Sequence, residues 1–383
     1  MDALATSLNL SRNGVQEAHA LVKPYIHRTP VITSSTLDKL ASSPQSVEAL
    51  ATTEWAEKQP AKPTIRLFFK CENLQKVGAF KVRGAFHALE RLRADPEIAA
   101  TLAQNGVVTH SSGNHAQALA LAARTHGIPA HIMMPNISTP SKIAGTKGYG
   151  ANVVFSGSTA AEREAIAREV IERTGAIFVP PSDHPASKSN ICTLYILIIA
   201  VILGQGTLAL ELQEQALELN NGTPLDAIIA PCGGGGMLSG IALACEGTGI
   251  RVFGSEPSFQ GGDDARRGLI AGERITAVNT LTIADGLRTP VGEYTWRIIS
   301  DPKKVVGVYA VTEDQIKAAM RLVLERMKMV VEPSACVPLA VALFNEEFRD
   351  MIEREAGPAG WNIGVVFSGG NTTVEEIRKL FSA

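Results

Sequence analysis

Apolar residues recur along this chain at two spacings. Short runs rich in β-branched and aromatic residues, "RLFFKCE", "GVVTHSS", "AHIMMPN", "ANVVFSG", "AIFVPPS", "AIIAPCGGGG", "RVFGSEP" and "IGVVFSGGN", read as strands passing into turns. Between them, "HAQALALAARTHG", "AEREAIAREVIERTG" and "EDQIKAAMRLVLERMK" return an apolar residue every three or four positions and read as helices. This alternation predicts an α/β protein with a mainly parallel sheet. In "GAFKVRGAF" and beyond, Val82, Ala85, Phe86, Leu89 and Leu92 share one helical face, and Gly78 stands upstream as a start signal. The polar stretch from Ser42 to Pro63 has weak periodicity and reads as a surface insertion or loop.

The helix predicted after Gly78 puts Lys81 in its first turn, where the helix dipole disfavours a cation. Lys81 is then either a solvated surface lysine, the common case, or an amine held neutral for chemistry by positive surroundings and apolar packing. Several strands end in Gly, Ser and Asn, and ligands of open α/β sheets bind at the carboxyl ends of strands. In "PCGGGGMLSG" four successive glycines before a helix let backbone N–H groups converge on an anion such as phosphate. The loop lacks the Lys-Ser or Lys-Thr of a Walker A motif, and no G-x-G-x-x-G reads through it. A dinucleotide fold, with Glu256 at the end of the next strand as the ribose acid, and a plain tight turn remain as alternatives. "SSGNHAQ" offers two hydroxyls and an amide at a helix start, suited to a carboxylate and a phenolic oxygen, or else to simple capping. His115 has no second histidine at ligand spacing and reads as a structural or hydrogen-bonding residue. Ser368 in "FSGGN" either caps the helix starting near Thr372 or serves a ligand.

Composition narrows the class. With 383 residues there is room for two domains or one large α/β unit, and a formal net charge of -2 argues against a nucleic-acid partner. Five cysteines without CxxC spacing suggest a reducing compartment rather than a disulfide framework. No secretory signal reads from the N-terminal stretch, and the apolar run Ile191 to Leu203 is shorter than the roughly 20 residues of a membrane span. A cytoplasmic protein with no membrane partner is the expectation.

Taken in order, "LFFKCENLQKVGAFKVRGA", "SSGNHAQ", "CGGGGMLSG", "SEP", "ADGL", "VEPSA" and "VFSGGN" resemble the fold type II pyridoxal-phosphate enzymes, a tryptophan synthase beta-like superfamily, and within it the serine racemase and serine/threonine dehydratase branch. The likeness runs from about His19 to the C-terminus. It implies two open, mainly parallel α/β domains, residues 106–183 forming the smaller and 1–105 with 184–383 the larger, with the cofactor in the cleft between them. By this resemblance Lys81 carries the cofactor aldehyde, Phe80 and Asn114 contact the pyridine ring and its 3-hydroxyl, and Gly233, Gly234, Gly235, Gly236 and Met237 hold the phosphate. Ser368 would meet the pyridine nitrogen, and Ser111, Ser112, His115 and Arg163 would face the substrate. Ser112, opposite Lys81, would exchange a proton and permit racemisation. Glu256, the Gly262 carbonyl and Asp264 match the family's site for magnesium, manganese or calcium, although "EPSFQGGDD" is about two residues longer than the family spacing.

The implied activity is α,β-elimination from L-serine, L-threonine or a close β-hydroxy amino acid, racemisation, or both, by a homodimer acting on small molecules. A threo-3-hydroxyaspartate dehydratase is the alternative enzyme. "ASKSNICTLYILIIA", residues 186–200, intervenes where relatives pass directly from His-Pro into a sequence like "VILGQGT". Its apolar part is either buried helix or an exposed liability, and codons for Ser187-Lys188-Ser189 can hold a splice-donor signal, so translation of a retained intron and a catalytically impaired cofactor-binding protein are further alternatives.

Overall fold

The structure is a computed structural model that describes residues 9–51, 53, 55–111, 113–136, 138, 140–157, 160–181, 183 and 191–382. Its strands in chain order are β1 (Val31–Thr33), β2 (Ile65–Cys71), β3 (Val107–His110), β4 (Ala130–Pro135), β5 (Asn152–Ser156), β6 (Ile177–Phe178), β7 (Ala227–Pro231), β8 (Arg251–Pro257), β9 (Gly307–Val311) and β10 (Trp361–Phe367). They form two sheets. By contacts the chain divides into one unit of Met1–Arg28, Gln75–Thr207 and Ser239–Ala244, and a second of Thr29–Leu74, Leu208–Leu238 and Cys245–Ala383.

The first unit holds a sheet of order β5-β4-β3-β6, parallel throughout. Helix Lys81–Ala94 presents Val82, Ala85, Phe86, Leu89 and Leu92 to its core, the face read from the sequence. The alanine-rich helix Asn114–Thr125 packs on it, since small side chains let two helices approach closely. This packing draws residues 75–105 into the unit of the smaller sheet. Its boundaries therefore differ from the sequence-based division at residues 105 and 184.

The second unit holds a sheet of order β1-β2-β10-β7-β8-β9, in which only β1 runs antiparallel to its neighbour. Every residue of β7 and β10 is buried, as continuous apolar strands covered on both faces must be. Helix Pro333–Phe344 fills one side of this core. Lys70 on β2 is buried too, where the Glu211 carboxylate, the Gln215 side chain and the Thr29 carbonyl accept from its ammonium at 2.7 to 2.8 Å. Pairing and hydrogen bonding together make such a burial tolerable.

The segment that interrupts the family pattern is described from Ile191 onward. It belongs to helix Ile191–Leu219, 29 residues long, and Leu194, Leu197, Ile198, Ile199 and Ala200 are buried. Of its two readings the buried helix is the one observed, while residues 186–190 lie outside the described residues. This helix is long and apolar enough by composition to cross a membrane, yet most of its apolar window is buried within the protein. Downstream, a Cβ on Gly204 would stand 2.8 Å from the Arg83 carbonyl, and one on Gly206 would stand 2.4 Å from the Gly240 carbonyl. Only glycine permits helix Ile191–Leu219 to touch its neighbours this closely.

Candidate active site

Lys81 is the first residue of its helix, as the spacing predicted. Just before it Val77 takes a left-handed conformation, φ 57°, a costly one for a β-branched residue and the kind of strain found near functional sites. The Lys81 ammonium donates to the Pro181 carbonyl at 3.0 Å and lies 5.3 Å from the centroid of the Phe80 ring. Although some of the side chain meets solvent, burial pulls the amine down to about 8. The surface-lysine reading is therefore not what the structure contains.

At the carboxyl end of β3, the Ser111 amide donates to the Met133 carbonyl at 3.0 Å, and Asn114 opens helix Asn114–Thr125. The helix N-cap is Gly113, without a side-chain capping bond, so the polar side chains there are not spent on capping in the usual way. Ser112 lies outside the described residues. His115 is buried, 2% exposed; its ring faces the Val179 carbonyl without a well-formed hydrogen bond, and the other ring nitrogen has no partner among the described residues. Burial first, then the Lys81 ammonium, hold its ring neutral, down to about 3. Arg163, half-buried on helix Ala160–Thr174, has its own neighbours Glu164 and Glu162 as electrostatic partners. These groups all belong to the first unit.

In the second unit the glycine loop follows β7 and Ser368 follows β10, and these two strands are parallel neighbours, so both loops leave the same edge of the sheet. Gly235 has φ +84°, closed to most side chains, and its Cβ would strike Thr295 and Ile299 at 2.8 Å. A Cβ on Gly236, where helix Gly236–Ala244 begins, would meet nothing within 4 Å. The loop thus faces open space at a helix N-terminus. Met237 is buried one residue further on. Ser368 is buried but does not cap the next helix, Val374–Phe381, because Thr373 does so in a capping box with Glu376.

Residues to which the sequence assigned no role hold these loops together. The Thr295 hydroxyl donates to the Gly234 carbonyl at 2.9 Å, and the Gly286 amide donates to the Ser334 hydroxyl at 3.0 Å. The Glu332 amide donates to the Gly369 carbonyl at 3.0 Å, and its carboxylate accepts from the Asn371 amide at 3.3 Å. Gly286 lies in "ADGL" and Glu332 and Ser334 in "VEPSA", so the signal was in those strings without its meaning.

Away from these loops, Glu256 and Asp264 are both buried. The Glu256 carboxylate accepts from the Ala265 and Arg266 amides at 3.0 and 2.9 Å, at the start of helix Asp264–Ala271, and Asp264 accepts from the Val291 amide at 2.9 Å. Burial first, then the Asp264 charge, push Glu256 well above the ordinary carboxylate range; burial raises Asp264 to about 6. Gly262 sits in the loop between them, its amide bonded to the Phe259 carbonyl at 3.1 Å. Among the described residues no three His, Cys, Asp or Glu side chains gather as a metal-holding group.

Residues 51–369 match the family model described as "Pyridoxal-phosphate dependent enzyme". A serine racemase of Arabidopsis thaliana is 40% identical over 371 residues, 96% of this chain and 95% of that protein. The structure of maize serine racemase superposes with a TM-score of 0.78 at 36% identity, covering 96% of each chain. The structure of a T.th. threonine deaminase gives a TM-score of 0.73 at 35% identity, covering 95% of this chain and 99% of the other.

Proposed function

The chain belongs to the pyridoxal-phosphate dependent enzymes, and from that membership we propose that it acts on L-serine and close β-hydroxy amino acids, removing the β-hydroxyl to give a keto acid and ammonia, inverting the α-carbon, or both. The observation that carries this reading is Lys81, a largely buried amine lowered to about 8 at the start of a helix. An amine so poised is about half neutral at pH 8, fit both to bind an aldehyde and to take a proton.

The residues present fit pyridoxal phosphate. The open space beside Gly236 and the positive φ of Gly235 form a cradle that side chains would fill. Backbone amides of Gly233 to Gly236 and of Met237 would hold the phosphate, assisted by the helix dipole. Phe80 would lie against the ring, Asn114 would bind the 3-hydroxyl, and Ser368 the pyridine nitrogen. When bound, the cofactor supplies an electron sink for the pair freed at the α-carbon. A neutral hydroxyl at Ser368 stabilises a protonated ring nitrogen less than a carboxylate would, which favours prompt loss of the β-hydroxyl. With the cofactor bound, the free Lys81 amine would take the α-proton. Ser111, His115 and Arg163 would bind substrate, and Ser112 would return a proton on the opposite face.

The second part of the reading is a divalent cation, magnesium or else manganese or calcium, held by Glu256, Asp264 and the Gly262 carbonyl. Two buried carboxylates, Glu256 raised by burial and by the Asp264 charge and Asp264 raised by burial, argue for a compensating cation, and all-oxygen ligands suit these ions. Five cysteines without CxxC spacing support a cytoplasmic setting, and the family resemblance supports a homodimer.

The test is the visible spectrum of the purified protein with pyridoxal phosphate, before and after adding L-serine, with pyruvate measured alongside. A lysine-bound cofactor band that changes on adding serine, pyruvate release, and loss of the band in Lys81→Ala are expected. A protein with no band, or one whose band survives Lys81→Ala, refutes the assignment.

A further inference from the structure

We propose that His115 is a positioning residue for Lys81: when the lysine amine is free, one ring nitrogen of His115 accepts a hydrogen bond from Nζ while the other faces the Val179 carbonyl. This inference rests on the function proposed above. Lys81 opens one helix and His115 is the second residue of another, and the two helices pack together in the first unit. Both side chains leave helix N-termini, where the dipole opposes a positive charge. The Lys81 ammonium is close enough to oppose a charge on the His115 ring, as is His110, while the Val179 carbonyl favours it. A neutral ring keeps one acceptor nitrogen at any working pH.

The Val179 carbonyl lies beside one nitrogen of this buried imidazole; the other has no partner among the described residues, which is costly and calls for an explanation. A lysine amine that exists free during only part of a turnover supplies one. The Pro181 carbonyl already accepts from Nζ at 3.0 Å, so His115 would complete a two-point hold that keeps the amine aimed as it takes and returns the proton.

Lys81 titration is read in the full-length protein without added cofactor, from the pH dependence of its acetylation followed by mass spectrometry. An acceptor stabilises the ammonium, so His115→Phe is expected to lower the Lys81 titration by about one pH unit, the effect of one hydrogen bond to a charged donor. His115→Gln, which keeps an acceptor, stays near the parent. In the loaded enzyme, His115→Phe lowers kcat about tenfold and raises the isotope effect with α-deuterated L-serine, a change that loss of a substrate contact alone does not produce. An unchanged titration in His115→Phe, or an equal shift in both variants, overturns the inference. If the phenylalanine variant does not fold, His115→Ala replaces it, and added imidazole must restore the parent titration. Absence of a cofactor band in the parent protein would instead remove the proposed function and leave the Lys81 titration readable.

Discussion

Leu197 lies in the segment that departs from the family pattern, and replacing it tests whether that segment belongs to the fold. Its side chain is 0% exposed and shares a core cluster with Val82, Phe86 and Leu89 of the lysine helix. Removing a leucine side chain from such a site costs about 2–5 kcal/mol, transfer and cavity terms together. Complete burial places Leu197→Ala near 3 kcal/mol, and a domain of this size loses about 2–4 °C of Tm per kcal/mol, so Tm falls by about 6–12 °C. Leu217→Ala on the same helix is the control, because Leu217 is 40% exposed and alanine is the better helix former. Thermal unfolding followed by circular dichroism, with the cofactor present throughout, compares the two. If Leu197→Ala moves Tm no more than Leu217→Ala does, residues 191–200 do not pack as core, and the retained-intron reading of the segment gains its force.

Three other outcomes are expected. Ser112→Ala should lower racemisation by about 10²- to 10⁴-fold, as for a lost acid–base group, while elimination from L-serine survives; chiral chromatography and pyruvate release measure the two, and equal loss would sink the assignment. His87, bonded to the Ala200 carbonyl with Arg91 nearby, and His115 are held neutral chiefly by burial, down to about 4 and about 3 from 6.5. The unfolded chain therefore binds more protons below pH 6.5, so stability is full above that pH and falls as pH drops toward 4. With magnesium present, denaturation at pH 5 should show about 4 kcal/mol less stability than at pH 7.5, and a flat profile would contradict the burial of these rings. Magnesium should raise Tm in a concentration-dependent way and chelator should reverse it, whereas Glu256→Gln should be indifferent to both; a magnesium response retained by that variant would place the cation elsewhere.

Much of the fold was legible because its strands are continuous apolar runs and the lysine helix keeps a strict three-and-four spacing. What escaped the pattern did so for local reasons. β1 has three residues, too few to show alternation, and is recognised only by its pairing with β2. The stretch "EDQIKAAMRLVLERMK" reads as one helix, but α-geometry ends at Leu322 and a π-turn covers Val323–Met327, a change the apolar spacing does not register. The loops that carry the chemistry stood out by composition. Their supports, Thr295, Ser334 and Glu332, did not, because each acts through a contact with a residue distant in sequence.

The long apolar insertion and the family motifs coexist for a geometric reason. In helix Ile191–Leu219 the close contacts with neighbouring backbone begin at Val201, whose carbonyl would lie 3.0 Å from a Cβ on Gly84, and continue through Gly204 against the lysine helix and Gly206 against Gly240. The Gln205 side chain accepts from the Gly84 amide at 3.3 Å, and Thr207 accepts from the buried Arg83 guanidinium at 3.2 Å. Each of these contacts lies in "VILGQGT", the stretch that relatives reach soon after His-Pro. Ile191 to Ala200 precede them on the same helix, adding turns and core surface at its N-terminal end without altering the register of the glycines. The helix that begins with Lys81 is thus held both by the insertion, through Leu197 and the Ala200 carbonyl that His87 meets, and by the residues downstream, where Gly204 and Gln205 meet Arg83 and Gly84.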